Sequence, residues 1–373
     1  MTAPQSLIDL TRAGVSIWLD DLDRGRIASG DLARLISEDE VRGVTTNPTI
    51  FAKALSGAGS AYAAQVRELA EAGSTVDEAV RALTTTDVRD ACDVFTALWE
   101  ASDGVDGRVS IEVDPRLARD TDATILQARL LHGMVDRGNV LIKIPATSEG
   151  LPAISETLAA GISVNVTLIF SIDRYAEVID AWMTGLERAA AAGHDLTTIQ
   201  SVASFFVSRM DSEVDARLTA IGSEEALHLR GEAGLASARL AWGVFEEAMA
   251  SPRWKALAAQ GARPQRPLWA STGVKDPAFP PTMYVMGLVV SGCVNTMPAA
   301  TLDACAAYTG PVVDSVTGTQ TASRALWDQL TALGISEPVV CQKLEDEGVE
   351  KFDASWAELL DTVRTALDNA RSS

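Results

Sequence analysis

Short β-branched apolar runs alternate along the chain with longer segments that are rich in Ala, Leu and Glu at helical spacing. This alternation is typical of βα units whose strands form a parallel sheet. We count eight predicted strands, the number that closes a (βα)8 barrel. They are SIWLDDL from Ser16, VRGVTTN from Val41, RVSIEVD from Arg108, VLIKIP from Val140, ISVNVTLI from Ile162, SVASFFV from Ser201, PLWASTG from Pro267 and CVNTMP from Cys293.

The 373 residues are more than eight short units require. Helical inserts are predicted over about residues 48–107 and 209–266, and a helical extension over about 299–373. Between these segments we find no linker that is long or biased enough to mark an independent domain. The expectation is therefore a single α/β domain over 1–373, a TIM barrel with helical insertions and a C-terminal helical extension.

Alternate residues of the predicted strands differ in chemistry, because successive side chains point to opposite faces of a strand. One face is apolar, with Ile17 and Leu19, then Val109, Ile111 and Val113, then Ile142 and Ile144, then Ile162, Val164, Val166 and Leu168. The other face is mostly polar, with Ser16, Trp18 and Asp20, then Ser110, Glu112 and Asp114, then Leu141 and Lys143, then Ser163, Asn165 and Thr167.

An antiparallel sheet with one buried face and one solvent-exposed face would show the same alternation. Two observations weigh against that alternative. The segments between the strands are helical, so the sheet should be parallel and covered on both faces. The polar face also combines carboxylate, amide, hydroxyl and amine groups, a mixture that suits a site better than a solvated surface. We therefore predict a barrel with an apolar outside and a polar interior.

Lys143 is the one charged residue in the apolar run VLIKIP. Burial disfavours an ammonium ion, which is how enzymes obtain a neutral amine nucleophile. The alternative is a lysine that reaches water at the strand end or pairs with Glu112 or Asp20. Because two other strands present inward carboxylates, we favour a Schiff-base lysine, with Glu112 and Asp20 as the acid and base. Either carboxylate could instead simply balance the charge of Lys143.

The charge balance narrows the choice of partners. The chain has 31 Lys and Arg against 51 Asp and Glu, a net charge of -20. Nucleic acids and anionic membranes select basic surfaces, so neither is an expected partner. The start of the chain lacks the features of a signal peptide, and the longest near-apolar stretch, Val285 to Val294, is too short to span a bilayer. A cytoplasmic location is the expectation.

No cofactor or metal is expected. The four cysteines are widely separated, and the three histidines lack the spacing of metal ligands. The chain also has no phosphate-binding loop of the GxxxxGK[ST] type, and GAGSAY lacks the third glycine of a dinucleotide fingerprint. Chemistry carried by amino-acid side chains alone is therefore favoured.

Six strand motifs together resemble the transaldolases, in the longer form that has extra C-terminal helices. In order along the chain they are GVTTNPTIF, SIEVDPRL, VLIKIPAT, GISVNVTLIFS, SFFVSRMD and VNTMP. The resemblance implies a barrel related to class I aldolases. It also implies transfer of a dihydroxyacetone unit from sedoheptulose 7-phosphate to glyceraldehyde 3-phosphate in the pentose phosphate pathway, giving erythrose 4-phosphate and fructose 6-phosphate.

By this resemblance Lys143 forms the Schiff base, Glu112 acts as acid and base through a water, and Asp20 is the base at the ketose hydroxyl. Residues of the remaining motifs match positions that orient the water or bind substrate. Thr167 matches the position that orients the catalytic water. The residues matched to the substrate are Thr45, Asn47, Asn165, Ser204, Phe206, Arg209, Ser271 and Lys275.

Four of these residues bear on specificity. Related fructose-6-phosphate aldolases resemble one another in having a tyrosine where this chain has Phe206, so phenylalanine favours transfer. Arg209 matches a phosphate-binding arginine, with an ordinary salt-bridged helix residue as the alternative. The segment WASTGVKD departs from the serine-plus-arginine pattern of shorter transaldolases, which leaves Ser271 and Lys275 as the expected phosphate contacts.

Two rival functions remain open at this point. One is a class I aldolase, such as a fructose-6-phosphate aldolase, that releases the three-carbon unit as free dihydroxyacetone. The other is a barrel that binds a sugar phosphate without turnover.

Overall fold

The computed structural model describes residues 3–57 and 59–372. Eight parallel strands form a closed barrel in sequence order, and the last strand pairs with the first. Every strand begins within two residues of its predicted start, so the (βα)8 barrel is confirmed. The strands are β1 (Ser16–Leu19), β2 (Val41–Val44), β3 (Arg108–Glu112), β4 (Val140–Pro145), β5 (Val164–Ile169), β6 (Ser201–Phe206), β7 (Arg266–Ala270) and β8 (Val294–Met297).

Helices occupy most of the remaining chain, and two of the long ones begin with a side-chain cap. Helix α6 begins with a capping box between Thr75 and Glu78, and α9 begins with Ser171 accepting from the Arg174 amide. The helices are α1 (Gln5–Arg12), α2 (Arg24–Ala28), α3 (Asp31–Glu38), α4 (Pro48–Gly57), α5 (Gly59–Glu71), α6 (Val76–Ala101), α7 (Thr121–Val135), α8 (Gly150–Ala159), α9 (Ile172–Ala191), α10 (Ser208–Ile221), α11 (Glu224–His228), α12 (Ala233–Ala250), α13 (Pro252–Ala258), α14 (Met283–Met286), α15 (Ala299–Ala306), α16 (Gln320–Ala332) and α17 (Glu337–Arg371). Within these described ranges, no helix combines the length and apolarity needed to cross a membrane.

The two strand faces pack as the alternation predicts. Outward residues such as Ile17 and Val109 belong to a large apolar cluster between the strands and the helices. Inward residues such as Leu141 belong to a second cluster, which includes residues of the barrel interior. Trp18 fills part of this interior so tightly that a Cβ at Gly43 would lie 2.6 Å from its ring. Glycine is therefore required at position 43.

The predicted orientation of Leu168 was wrong. Leu168 belongs to the inner cluster, and Ile169 packs outward in its place. The reason is a bulge in β5, where the register with β6 shifts between Val166 and Ile169. A bulge adds one residue and reverses the alternation beyond it. Leu168 has φ +59°, a left-handed conformation that costs a leucine about 1–2 kcal/mol.

The last helix, α17, is a single helix of 35 residues. It packs against α4 and against β5. Its residues Leu344, Val349 and Phe352 belong to the inner cluster, together with Leu168. A Cβ at Gly348 would lie 3.1 Å from Leu168 Cδ2. The C-terminal extension therefore completes the packing at the carboxyl-terminal end of β5.

Candidate active site

A cavity of about 340 Å³ opens at the carboxyl-terminal ends of the strands, where TIM barrels place their sites. Its volume suits a small metabolite. Ten of the twelve residues predicted for the site line it. They are Asp20, Thr45, Asn47, Lys143, Thr167, Ser204, Phe206, Arg209, Ser271 and Lys275.

The other two predicted residues, Glu112 and Asn165, lie next to lining residues. Glu112 is 6% exposed, and its Oε2 lies 3.4 Å from Lys143 Nζ. Asn165 is fully buried. Its Oδ1 accepts a hydrogen bond of 2.7 Å from Ser204 Oγ, and its Nδ2 donates to Ser110 Oγ at 3.0 Å. Asn165 therefore holds Ser204 in position at the cavity wall.

Strand register places Lys143 between these two residues. Lys143 of β4 pairs with Glu112 of β3 on one side and with Asn165 of β5 on the other. The lysine is 4% exposed, and its Nζ donates to the Thr46 carbonyl at 3.2 Å. It therefore presents a buried amine, with a carboxylate beside it, to a cavity that a substrate can enter.

Burial raises the pKa of Glu112 from 4.5 to about 7, although the charge of Lys143 opposes the shift. Apart from the ion pair with Lys143 Nζ, neither carboxylate oxygen has a polar partner within the described part of the chain. A carboxyl group that titrates near neutral pH can both donate and accept a proton, which is what an acid and base catalyst requires.

The raised pKa predicts a pH dependence of stability. Folded Glu112 holds its proton more tightly than unfolded Glu112, so the free energy of unfolding should fall as the pH rises from about 4.5 through 7. Relative to Glu112→Gln, the wild type should lose up to about 3 kcal/mol over this range. Urea unfolding of both proteins at pH 5 and pH 8 measures the difference.

The matched variant isolates Glu112 from other buried acids. Asp211, for example, also has its pKa raised to about 7 by burial, and it is present in both proteins. If the free energies of unfolding of wild type and variant differed by the same amount at both pH values, the assignment of the titration to Glu112 would be contradicted.

Asp20 is oriented by two threonines. Thr45 Oγ1 donates to Asp20 Oδ1 at 2.8 Å and lies 2.8 Å from Thr296 Oγ1. Since the single Thr45 proton goes to the carboxylate, Thr296 is the donor in the second bond. Thr296 was not predicted as a site residue. It has the inward parity of Val294 in β8, so the strand alternation contained the signal.

Arg209 lies at the start of α10, between two aromatic rings. Its Cζ is 4.9 Å from the Phe206 ring centroid and 6.0 Å from that of Phe352. Burial lowers the pKa of the guanidinium, and Nη1 has no hydrogen-bond partner among residues 3–57 and 59–372. Over the same residues Arg209 forms no ion pair within 4 Å, so the salt-bridged alternative is wrong. The guanidinium is available to an anion.

Residues of the β7 loop and of α4 complete the cavity. Ser271 has φ +57°, and its Oγ lies 2.9 Å from Ser208 Oγ. Asn47 Oδ1 accepts from the Ile50 amide at 3.0 Å, which commits that oxygen to the start of α4. Lys53 of α4 also lines the cavity and was not predicted, since nothing distinguishes it in sequence from a solvated lysine.

The cavity is locally basic in an acidic chain. Of its described lining residues, four are basic and one is acidic. The basic residues are Lys53, Lys143, Arg209 and Lys275, and the acidic residue is Asp20. A net charge of -20 is therefore compatible with a small anionic ligand, because a recessed group of like charges focuses its own field.

Comparison with known proteins agrees with this geometry. The family model described as transaldolase/fructose-6-phosphate aldolase matches residues 17–363. The chain is 59% identical to the transaldolase of Thermobifida fusca (strain YX), over 97% of this chain and 98% of that protein. It is 60% identical to the transaldolase of Kocuria rhizophila and 58% identical to that of Mycolicibacterium smegmatis, each over 100% of both chains. The chain therefore belongs to the transaldolase/fructose-6-phosphate aldolase family.

Proposed function

We propose that the protein is a transaldolase that transfers a dihydroxyacetone unit from sedoheptulose 7-phosphate to glyceraldehyde 3-phosphate through a lysine Schiff base. One observation carries the proposal. A buried lysine amine with a carboxyl group 3.4 Å away shares a cavity with a half-buried guanidinium whose Nη1 has no hydrogen-bond partner in the described part of the chain. A nucleophile, a proton carrier and a phosphate contact are the parts that such a transfer needs. The full-length relatives named transaldolase support the same conclusion.

The first stage forms the covalent adduct. Neutral Lys143 attacks the ketose carbonyl carbon and gives a carbinolamine. Glu112, whose pKa of about 7 lets it hold a proton, protonates the leaving hydroxyl through a water that Thr167 orients. Thr167 Oγ1 is buried and has no hydrogen-bond partner in the described part of the chain, so it is free for this contact. Loss of water then gives the iminium ion.

The second stage breaks a carbon–carbon bond. Asp20, held by Thr45, takes the proton from the C4 hydroxyl, and the C3–C4 bond cleaves. The aldose phosphate leaves, and a three-carbon enamine remains on Lys143. Hydrogen bonds from Asn47 and Asn165 stabilise this enamine. An acceptor aldose phosphate then enters, and the steps run in reverse.

The substrate phosphate binds at the Arg209 side of the cavity in this proposal, with Ser271 and Lys275 as further contacts. Arg209 supplies bidentate donors, whereas Lys275 supplies a point charge. Phe206 packs against the guanidinium at 4.9 Å and offers no hydroxyl to the reacting carbon atoms. That absence of a proton donor favours transfer over release.

Three further assignments accompany the proposal. The partners are small sugar phosphates and do not include nucleic acid, because the chain has 51 acidic against 31 basic residues. The location is the cytoplasm. Residues 1–373 form a single domain, an arrangement that the packing of α17 against α4 and β5 supports.

Acceptor dependence tests the function. With fructose 6-phosphate as donor, we expect formation of free dihydroxyacetone to be at least about 100-fold slower than transfer to erythrose 4-phosphate, because a water-poor site protects the enamine. Release at the same rate with and without acceptor would instead identify an aldolase. Absence of both turnover and a borohydride-reduced adduct would identify a binding protein.

A further inference from the structure

Phe352 comes from α17, far from the strand motifs, yet it lines the cavity. It is 3% exposed. Its ring centroid lies 5.7 Å from Lys143 Nζ and 6.0 Å from Arg209 Cζ. At these distances the ring lies beside both the proposed nucleophile and the proposed phosphate contact.

Close packing one turn earlier fixes the position of this ring. A Cβ at Gly348 would lie 3.1 Å from Leu168 Cδ2, 3.5 Å from the Phe170 ring and 3.6 Å from Arg209 Nη1. The helix therefore approaches the end of β5 as closely as a glycine allows. Such packing leaves little freedom for Phe352 to move away from Lys143.

We propose that Phe352 keeps water from the three-carbon intermediate on Lys143 and thereby determines that the unit is transferred and not released. This proposal rests on the transaldolase function proposed above. The ring covers the nucleophile with a surface that neither donates nor accepts a proton. It also helps hold Arg209, so that an incoming aldose phosphate is bound while bulk water is excluded.

The reaction that Phe352 prevents consumes one water. The terminal enamine carbon takes a proton, a C–H bond forms, and the nitrogen becomes an iminium ion. Water then adds to the iminium carbon and loses a proton. The nitrogen is then protonated, the C–N bond breaks, and the hydroxyl loses its proton as the carbonyl forms, which returns the amine of Lys143 and frees dihydroxyacetone. Both the protonation and the addition require water at the carbon atoms next to Nζ.

The test compares two products made by the full-length enzyme from fructose 6-phosphate and erythrose 4-phosphate. These are free dihydroxyacetone and sedoheptulose 7-phosphate. Phe352→Ala opens the space above Lys143, and we expect it to raise the ratio of the first to the second about tenfold. Phe352→Leu fills part of that space, so we expect a rise of about threefold.

Leu359→Ala is the matched control. Leu359 lies two turns further along α17, is fully buried and packs in the outer apolar cluster, away from the cavity. The Leu359→Ala variant tests whether general loosening of α17 is enough to raise the product ratio. We expect this variant to keep the wild-type ratio. Since truncation of a buried phenylalanine can unfold a protein, Phe352→Leu decides the result if Phe352→Ala does not fold.

Two outcomes would overturn the proposal. In one, the folded Phe352 variants keep the wild-type product ratio. In the other, Leu359→Ala raises that ratio as much as Phe352→Ala does. Failure of the function itself is distinguishable, because the wild type would then form neither sedoheptulose 7-phosphate nor a borohydride-trapped adduct.

Discussion

Replacing Lys143 with methionine should lower kcat for transfer by at least about 10⁴-fold, because the amine proposed to form the covalent adduct is removed. Methionine has an unbranched side chain of similar length, so the packing between Glu112 and Phe352 should be kept. Incubation with fructose 6-phosphate and borohydride should give a reduced adduct in the wild type and none in the variant, as read by mass spectrometry.

Lys53→Met is the control for this experiment. Lys53 lines the same cavity, but it lies on α4 and has no part in the proposed covalent steps. The Lys53 variant should still form the borohydride-trapped adduct. A trapped adduct in Lys143→Met would place the Schiff base on another lysine. A thermal melt that showed gross unfolding of Lys143→Met would remove the catalytic interpretation of its lost activity.

Replacing Arg209 with glutamine should lower kcat/KM for phosphorylated substrates by roughly 30- to 1000-fold. The loss corresponds to about 2–4 kcal/mol, the range for one or two hydrogen bonds to a charged group. Most of the effect should appear in KM, since the phosphate is distant from the bonds that change. An unphosphorylated donor, whose binding does not use the guanidinium, should lose much less.

A binding measurement separates this effect from damage to the fold. Inorganic phosphate should raise the melting temperature of the wild type and raise that of Arg209→Gln much less, because a ligand stabilises the form that binds it. Arg217→Gln is the control, since Arg217 lies two turns along the same helix and pairs with Glu213. Equal stabilisation of Arg209→Gln and wild type by phosphate would place the anion elsewhere.

The strands could be predicted closely because their signal is local. Apolar alternation and helical spacing depend on neighbouring residues, and they predict Lys143, Glu112 and Asp20 on the inner face of the barrel. The alternation failed at Leu168, where a bulge with positive φ reverses it. Nothing in LIFS marks that bulge, because leucine is an unfavourable residue for such a conformation.

The part of the site that sequence reasoning missed comes from distant segments. Phe352 is an apolar residue on an amphipathic helix, which in sequence predicts only packing. Its place in the cavity follows from how α17 lies against Leu168 and α4, a long-range arrangement. Lys53 was missed because a lysine on a helix ordinarily predicts a solvent-exposed side chain. Site residues in strands could therefore be recognised from sequence, whereas these two site residues on helices could not.

The position of Phe352 on α17 also bears on biosynthesis. Residues that line the cavity run from Asp20 to Phe352, so the first and the last of them are 332 positions apart in the chain. Domains emerge from the ribosome with the N-terminal part first. A nascent chain can therefore close its eight-stranded barrel, through the pairing of β8 with β1, while the cavity still lacks one wall. The amine of Lys143 would be exposed to cellular aldehydes and ketones during that interval, until α17 docks.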